Sequence, residues 1–573
     1  MRLLSLEIHN FRGIKDANIN FNTDNRLLCL IGAGDSTKST ILLSIKYLFY
    51  SSWNLPICDN DFYLSKTEND IVIQGTICEI PKSLTTDNKF GLLLRKPYIE
   101  YDRKTNDEPE DDKAICLTIQ LTVNSSLEPR WNIICNRCEP KPISGADRSK
   151  LATGFVGDNC GKDLSWGRYS VLQKYADSKG ELHDAYIKIM REITSNVDLT
   201  KLDSISSDIK KIGEHYGVGF ENEINTKLSF QNGSFNTCAY LFDGHVPVNL
   251  RGCGSQRLLS MGLNIAASQD GTVLLIDEIE HGLEPYRLRS LINEIRKRTK
   301  NIGQVIITTH SPVVLTECDV SELAVVFSNN GKTDIRYFKT TDSKINDQLQ
   351  KQIRTDADAF LCKSLIVCEG KTEQGFIKAF DDYLVKEKGM RIAHKGIGIA
   401  LGCGENTFSY AYNLKECGYN VSIFMDSDKK NEDEKKLEAK KQYNIKIFDW
   451  DSPNSIEEQL FLDLPETQVQ QLIDIAVEEK GLSIISSVLK TEKILFESVN
   501  NKIILKTFDK NTRKTLGTLA KKKSKNGHIG EWFKRIDLGR EIGNVTFNNF
   551  SEIGSKTKLH QTIFSIIDWV TQI

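Results

Sequence analysis

Hydrophobic and polar positions alternate at the start of the chain and then give way to continuous apolar runs. Residues 4–8 and 17–21 have the two-residue period of half-buried strands. The turn at Arg12-Gly13 lies between them and predicts an antiparallel pair. Residues 27–31 are apolar at every position, which is typical of a central strand that is covered on both faces.

Helical and strand patterns alternate further along the chain, which predicts an α/β fold. Helical spacing covers residues 41–49, and apolar strands recur at 273–276 and 305–308 with a helix around 288–295 between them. Residues from about 165 to 225 largely lose the strand signature and show helical spacing with mixed charge. They are therefore predicted to form a helical insertion.

A polar stretch at 340–358 predicts a linker between two domains, residues 1–355 and residues 356–573. The second domain opens with an apolar strand at 364–367. Two further apolar strands and a mainly helical, lysine-rich tail follow. The expected fold is therefore two α/β units in series, the second with helical additions.

Length and composition limit the classes of protein that this chain can represent. A chain of 573 residues is too long for one hydrophobic core. Lys+Arg 75 against Asp+Glu 77 gives a net charge of −2, so any nucleic-acid contact must be a local patch. The first residues lack a signal-peptide pattern and no run reaches the ~18 apolar residues of a membrane span. A cytoplasmic protein without a membrane partner is expected.

Cysteine usage agrees with an intracellular protein. The 14 cysteines are scattered through apolar runs and lack the spacing of a disulfide framework. One C-x-x-C pair, Cys135 and Cys138, has no second ligand pair at the spacing of a zinc site. Zinc is therefore not expected.

A degenerate phosphate loop follows the apolar strand at 27–31. Such a loop needs backbone N–H groups at a helix N-terminus, a lysine for the outer phosphates and a hydroxyl for magnesium. Lys38 and Ser39 fill the last two places, whereas Thr37 replaces the second glycine of the pattern and its β-carbon is expected to crowd the loop. The residues predicted to bind ATP are Gly32, Gly34, Asp35, Ser36, Thr37, Lys38, Ser39 and Thr40.

Two later strand ends supply polar groups that suit this loop. Asp277 and Glu278 end one buried strand, which places one carboxylate to hold hydrated magnesium and a second to orient an attacking water. His310 ends the next strand at the same carboxyl edge, where open α/β sheets bind ligands. Each group alone could be an ordinary solvated strand end. However, the phosphate loop, the acidic pair and His310 all follow apolar strands, which places all three at the same edge of the sheet.

The phosphate loop and these strand ends, together with Phe11-Arg12-Gly13 and the segment of residues 252–257, resemble the ABC-type ATPases of chromosome maintenance and recombination. In that family the Gly-Ser-Gln segment of one subunit closes over ATP bound to another. The resemblance implies trans contacts from Gly254 and Ser255 and dimerisation through the helical insertion.

The second domain carries four carboxylates at strand ends. Glu369 follows the strand at 364–367 and Glu373 stands four residues later, on the expected first helical turn. Asp426 and Asp428 follow another apolar strand, where an i, i+2 pair projects to one side. Converging carboxylates need cations, and oxygen ligands suit Mg²⁺ or Mn²⁺ and two-metal cleavage of a phosphodiester. The alternative is two exposed acidic loops.

This E-x-x-x-E and D-x-D arrangement resembles the Toprim domain. An ABC-type ATPase followed by Toprim in one chain resembles the overcoming-lysogenization-defect (OLD) family of nucleases, with Gabija-type nucleases close in architecture. The resemblance implies a further metal ligand, Glu457 or Glu458, and a downstream catalytic lysine. We select Glu457 as the candidate metal ligand and Lys525 as the candidate catalytic lysine.

The expected function is a homo-oligomeric, ATP-regulated, metal-dependent DNA endonuclease or nickase in bacterial antiphage defence. Its cofactors would be ATP and Mg²⁺ or Mn²⁺. Members of the resembled family act alone, with a helicase-like companion, or with a reverse transcriptase and its small DNA. The alternatives are a topoisomerase-like or primase-like Toprim enzyme and a nucleotide-dependent DNA clamp in repair or recombination without nuclease activity.

Overall fold

The computed structural model forms two compact units, Met1–Thr340 and Thr341–Ile573. The residues that it describes are 1–22, 25–96, 108, 115–151, 153–157, 164–166, 170–178, 202–229, 238–267, 272–299, 303–338, 343–429, 432–522 and 531–573.

A twelve-stranded sheet organises the first unit. Its strands, in spatial order, are β7 (Lys141–Pro142), β6 (Pro129–Ile134), β5 (Cys116–Val123), β4 (Ile71–Cys78), β1 (Arg2–Phe11), β2 (Ile14–Asn20), β16 (Lys332–Tyr337), β15 (Leu323–Asn329), β3 (Leu27–Ile31), β14 (Gln304–Thr308), β13 (Val273–Ile276) and β8 (Thr153–Val156). β1 and β2 pair antiparallel, as predicted. β3 is buried throughout and lies parallel between β14 and β15, as expected of a covered central strand.

A second, smaller sheet and several helices complete the first unit. The smaller sheet contains β9 (Ser165–Trp166), β10 (Ile224–Ser229), β11 (Cys238–Asp243) and β12 (Val246–Pro247). The helices are α1 (Lys38–Leu48), α2 (Gly145–Ser149), α3 (Val171–Ser178), α4 (Asp203–His215), α5 (Cys253–Ala267), α6 (Pro285–Arg298) and α7 (Pro312–Glu317). α3 and α4 fall inside the predicted helical insertion, whose residues 179–201 lie outside the described part of the chain. Its dimerisation role stays a prediction.

The second unit is built on a parallel sheet of four strands. In spatial order these are β18 (Ile397–Leu401), β17 (Ser364–Cys368), β19 (Asn420–Phe424) and β20 (Lys446–Phe448), and a separate hairpin contains β21 (Phe496–Val499) and β22 (Lys502–Leu505). The helices are α8 (Ser343–Thr355), α9 (Lys371–Lys388), α10 (Thr407–Glu416), α11 (Asp433–Lys441), α12 (Ile456–Asp463), α13 (Glu466–Lys480), α14 (Leu482–Thr491), α15 (Lys510–Lys521), α16 (Ile536–Asn548) and α17 (Lys558–Gln572). The α/β class predicted for the chain is confirmed.

The stretch that was expected to be a linker contains helix α8 instead. Leu349 and Ile353 recur on one face of α8 and are buried, 1% and 0% exposed. This apolar spacing packs the helix even though most of its residues are polar. α8 belongs to the second unit, whereas the predicted domain boundary fell at its C-terminal end.

The C-terminal helices of the second unit support α9, the helix that carries Glu373. α9 and α16 cross closely at glycines: a β-carbon on Gly539 would lie 2.3 Å from Thr372 O, and one on Gly375 would lie 2.1 Å from Ile536 O. Thr372 Oγ1 also donates to Phe533 O at 3.1 Å. The start of α9 is therefore fixed by packing from the far end of the chain.

Among the described helices, none combines the length and apolar character that crossing a membrane requires.

Candidate nucleotide and metal sites

The phosphate loop connects β3 to α1 at the carboxyl edge of the large sheet. Lys38 is the first residue of α1, and its side chain is only 5% exposed. Its ammonium group donates to Gly32 O (3.0 Å), Ala33 O (2.8 Å) and Ser36 Oγ (3.1 Å). Burial lowers the pKa of Lys38 to about 8, although the neighbouring Asp277 carboxylate opposes this effect. A partly desolvated ammonium group at a helix N-terminus is suited to bind phosphate.

Thr37 stands where the glycine is expected and has a left-handed backbone, with φ 68° and ψ 14°. β-Branched residues rarely adopt this conformation. The Thr37 hydroxyl donates to Ser36 O at 2.6 Å and is hydrogen-bonded to Thr333 Oγ1 at 3.0 Å. Thr333 is buried on β16 and bonds onward to Ser328 of β15 at 3.3 Å. The β15–β16 hairpin therefore holds the residue that departs from the glycine pattern.

The remaining loop residues lie along the same turn. Gly34, Asp35 and Ser39 are exposed, whereas Thr40 is half-buried. Asp35 also has a left-handed backbone, with φ 59°. The loop therefore presents its outer edge to solvent.

Ser39 and Asp277 are in direct contact. Ser39 Oγ donates to Asp277 Oδ1 at 2.9 Å, and Thr308 at the end of β14 donates to the same oxygen at 2.6 Å. Thr308 Oγ1 also accepts from Glu278 N at 2.8 Å. A hydroxyl and a carboxylate beside a phosphate loop are the oxygen ligands that Mg²⁺ prefers.

Glu278 and His310 follow the neighbouring strands β13 and β14. The Glu278 side chain is 44% exposed, so it is available to a ligand at this edge. The backbone around His310 is held by Glu280, which accepts from His310 N at 2.5 Å and from Thr309 Oγ1 at 2.6 Å. Desolvation and the nearby Lys38 ammonium lower the pKa of His310. Glu280 was not predicted as a site residue, although its i, i+2 spacing from Glu278 was visible.

The segment with Gly254 and Ser255 forms the first turn of α5, and both residues are partly exposed. A β-carbon on Gly254 would lie 2.2 Å from Gly282 O, so the segment packs against the loop that follows β13. Only glycine fits this close approach between backbones.

Arg257 ties α5 to the end of β13. Its side chain is fully buried, at 0% exposure. The guanidinium donates to Gly157 O at 3.2 Å, to Glu278 O at 2.7 Å and to Asp277 O. The helix that begins with Gly254 and Ser255 is therefore bonded to the backbone of both predicted acidic residues.

The five acidic residues predicted as metal ligands in the second unit are among those that line one open cleft of about 1110 Å³. They come from separate elements: Glu369 follows β17, Asp426 and Asp428 follow β19, and the first turns of α9 and α12 carry Glu373 and Glu457. Their arrangement follows from the topology, because parallel strands end at the same edge of a sheet.

Hydrogen bonds hold three of these carboxylates in place. Glu369 Oε2 accepts from Asp426 N at 3.1 Å, and Asp426 Oδ1 accepts from Ile456 N at 2.8 Å. Ser455, the N-cap of α12, donates from its hydroxyl to Glu457 Oε2 at 2.8 Å. The strand ends and the start of α12 are therefore linked through the acidic groups themselves.

Two lysines balance part of the negative charge. Lys429 Nζ lies 2.6 Å from Glu369 Oε1. Lys521 Nζ, at the end of α15, lies 3.1 Å from Asp428 Oδ2 and 3.0 Å from Glu458 Oε2. Although burial opposes protonation, these ion pairs raise the pKa of both lysines. Both ammonium groups are therefore charged within the cleft.

The deeper carboxyl groups form no ion pair within the described residues, and the pKa of each is raised. Burial, with the neighbouring Glu457 and Glu369 carboxylates, raises the pKa of Glu373 to about 8. Burial and four surrounding carboxylates raise the pKa of Asp426, and burial raises that of Glu457. These groups ionise together only where a cation compensates them.

Among the described residues, no three His, Cys, Asp or Glu side chains are already placed as a closed metal-binding group. The carboxylates share a cleft, but Lys429 and Lys521 pair with two of them. Lys525 lies outside the described residues, so its position is not compared with its predicted role. Lys521 was visible in the same lysine run, but its contacts depend on how α15 packs against α12.

The chain matches the sequence model of a family described as "AAA domain, putative AbiEii toxin, Type IV TA system" over residues 27–316. This span covers half of the chain, and the chain belongs to that family of ATPase domains.

A curated relative, the Old nuclease of Escherichia phage P2, is 24% identical over 425 residues, covering 66% of this chain and 69% of the relative. Together with the ATPase domain, this match confirms the resemblance to the OLD-family ATPase nucleases.

Two solved structures are similar to part of the chain. The crystal structure of the SmcHead bound to the C-winged helix domain of ScpA has 14% identity and a TM-score of 0.39, covering 60% of this chain and 99% of its own. The SMC head domain from Thermotoga maritima has 16% identity and a TM-score of 0.30, covering 59% of this chain and 100% of its own.

Proposed function

We propose that the chain is an ATP-regulated, metal-dependent DNA endonuclease or nickase of the OLD type, with residues from 356 onward forming a Toprim nuclease domain. The observation that carries the proposal is the set of five carboxylates that three separate regions of the second unit bring into one cleft. The nuclease named in the curated relative supports the same activity.

The donor set fits Mg²⁺ or Mn²⁺, because all five groups are carboxylates and the neighbouring carboxylates help to raise the pKa of the buried Glu373 and Asp426, which a bound cation would lower. The proposed ligands are Glu369, Glu373, Asp426, Asp428 and Glu457. Bound metal would supply charge neutralisation and an activated water for phosphodiester hydrolysis.

The chain's own residues provide orientation and positive charge. Ser455 aims the Glu457 carboxylate through its hydroxyl, and the Ile456 N–H fixes Asp426. Lys521 sets an ammonium group between Asp428 and Glu458, where it can stabilise negative charge that develops on a phosphate. We therefore propose Lys521 as the first candidate for the catalytic lysine, with Lys525 retained as the second.

The nuclease proposal is tested with Asp426→Ala on supercoiled plasmid in Mg²⁺ or Mn²⁺. Cleavage should fall by more than about 100-fold, because loss of even an outer partner of a metal ligand costs 10–100-fold. Asp451→Asn is the matched control, since Asp451 is exposed and does not line the cleft. Plasmid cleavage by Asp426→Ala at the rate of the unaltered protein would contradict the proposal and would leave the DNA-clamp alternative.

We propose further that ATP closes two copies of the chain over shared nucleotides. Lys38, Ser39, Asp277 and His310 would hold the nucleotide of one copy, and Gly254 and Ser255 of the other copy would complete the site. The exposed start of α5 supports this role.

Glu278→Gln tests this regulation, because it keeps the shape of the side chain but removes the charge that orients water. ATP should bind and persist, and closed dimers should accumulate. The measurements are plasmid cleavage and oligomer mass without nucleotide, with ADP and with ATP. Responses identical to those of the unaltered protein would exclude regulation through hydrolysis.

We also propose a role in bacterial antiphage defence, which the OLD-type resemblance supports. Plaque counts on cells that carry the gene should drop, and the Asp426→Ala gene should not protect. The neighbouring genes should show whether a helicase-like or reverse-transcriptase companion takes part.

A further inference from the structure

One polar face of helix α15 lines the acidic cleft. The lining residues Asn511, Lys514 and Thr518 recur at helical spacing, so they share one face of the helix, and Lys522 follows directly after its last residue as the C-cap. The opposite face is packed into the core by Leu516 and Ala520, both 0% exposed. The polar face is therefore held rigidly towards the cleft.

The charges in the cleft are distributed unevenly. Nine carboxylate and six lysine side chains line it. Lys429, Lys521 and Lys534 each form an ion pair with an acidic neighbour. Lys514 and Lys522 are exposed and have no carboxylate partner within the described parts of the chain. Lys371 is also exposed and forms no ion pair within the described parts of the chain, so three ammonium groups without a carboxylate partner remain, and two of them belong to α15 and its C-terminal end.

We infer that this face of α15 is a contact surface for the phosphate backbone of the DNA, with Lys514 and Lys522 binding phosphates on either side of the reacting one. The inference rests on the proposed nuclease function and adds the residues that hold its substrate. Lys514 and Lys522 are about 12 Å apart along the helix axis at 1.5 Å per residue. A DNA strand advances about 3.4 Å per nucleotide, so the two ammonium groups reach different phosphates.

We propose that the donors on this surface contact phosphate oxygens and not base edges. Lys514 and Lys522 present flexible ammonium groups, and the Asn511 side chain adds an exposed amide at the start of the same face. Contacts to phosphate position the DNA without carrying sequence information. Substitutions on this surface should therefore change the affinity equally for DNA duplexes of unrelated sequence.

The test measures the affinity of labelled short duplexes for the full-length protein in Ca²⁺ over a series of salt concentrations. Gels run beside the binding assay show that the DNA stays intact. Lys514→Gln and Lys522→Gln should each reduce the slope of log affinity against log salt by about 0.9, the value for one phosphate contact on duplex DNA. The loss of affinity should be the same for two unrelated sequences.

Two controls separate charge from position. Lys510→Gln removes a lysine from the same helix outside the cleft and should leave the slope unchanged. Lys514→Arg keeps the charge and should keep the slope. Equal melting temperatures for all variants exclude unfolding as the cause.

Unchanged slopes for Lys514→Gln and Lys522→Gln, in a protein that still cleaves plasmid through Asp426, overturn the inference and leave the nuclease proposal standing. A loss confined to one DNA sequence also overturns it, because that result requires a base contact. If the unaltered protein neither binds nor cleaves DNA, both proposals fail together.

Discussion

The two candidate sites differ in how far their charges are already balanced. Around the phosphate loop, Lys38 donates a hydrogen bond to Gly32 O, and Ser39 donates one to the Asp277 carboxylate. In the acidic cleft, burial and the neighbouring carboxylates raise the pKa of Glu373 to about 8 and also raise the pKa of Asp426. The first site is therefore organised by the chain alone, whereas the second requires a cation to reach its charged state.

Among the substitutions around the phosphate loop, the largest effect is expected from Lys38→Ala. Hydrogen bonds to charged groups contribute about 1.5–3 kcal/mol, so ATP affinity should fall by roughly 10-fold to 100-fold. Plasmid cleavage without nucleotide should not change, because the carboxylates belong to the other unit. Isothermal titration with ATP and a plasmid assay measure both, with exposed Lys82→Ala as the control. Equal ATP affinity for Lys38→Ala and the unaltered protein would remove the phosphate loop from the comparison.

Gly517→Ala should break the acidic site through packing. The added β-carbon would lie 2.6 Å from Glu458 Cα, so α15 must move away from α12. Overpacking of this kind costs about 1–3 kcal/mol, and Lys521 should lose its contacts with Asp428 and Glu458. Melting temperature and plasmid cleavage should both fall. Gly219→Ala, where the added carbon meets nothing within 4 Å, is the matched control and should change neither.

The metal-free protein should become less stable as pH rises from about 5 to 8. The pKa of Glu373 is about 8 in the folded protein against an ordinary 4.5, so the folded state binds the proton more tightly in this window. Raising the pH therefore favours the unfolded chain. Melting curves in EDTA should move down by a few degrees, since ~1 kcal/mol corresponds to about 2–4 °C for a unit of this size.

Glu373→Gln and added Mg²⁺ sharpen the pH experiment. The substitution removes one titrating group and should flatten the dependence of the melting temperature on pH. Mg²⁺ should flatten it as well, because it favours the charged carboxylates. A pH dependence that neither change alters would place its origin elsewhere in the chain.

The smallest effect is expected from Thr333→Val. The Thr37–Thr333 hydrogen bond should contribute about 1 kcal/mol, so ATP affinity should fall by roughly 5-fold. In Thr37→Gly the partner hydroxyl is absent, and adding Thr333→Val should then have no effect. This double-mutant cycle isolates the pair. Additive losses would mean that the hairpin does not support the loop.

The positions of strand ends were predictable from the sequence. A buried apolar run predicts a strand, and the polar residue at which the run stops marks the end of that strand at the edge of the sheet. This applies to Asp277, His310, Glu369 and Asp426, whose strands all form as expected. Contacts between distant segments were not predictable in this way. Thr333 lies 296 residues after Thr37 in the sequence.

The lysine in the cleft illustrates the same limit. The run from Lys521 onward was recognised as basic, but nothing in its sequence distinguishes one lysine from the next. The distinction arises because Gly517 lets α15 approach α12 at Glu458, which brings Lys521 to the acidic groups. The helical stretch at Ser343–Thr355 is a related case, since its few apolar residues are hidden among polar ones.

Arg257 gives the first unit a mechanical property. Its buried guanidinium spans from α5 to the carbonyl groups of Asp277 and Glu278, so the helix cannot slide along its axis without breaking these bonds. The start of α5 and the end of β13 are therefore expected to move together. In the proposed closed dimer, a contact at Gly254 would therefore be coupled through Arg257 to the backbone of Asp277 and Glu278 in the same chain.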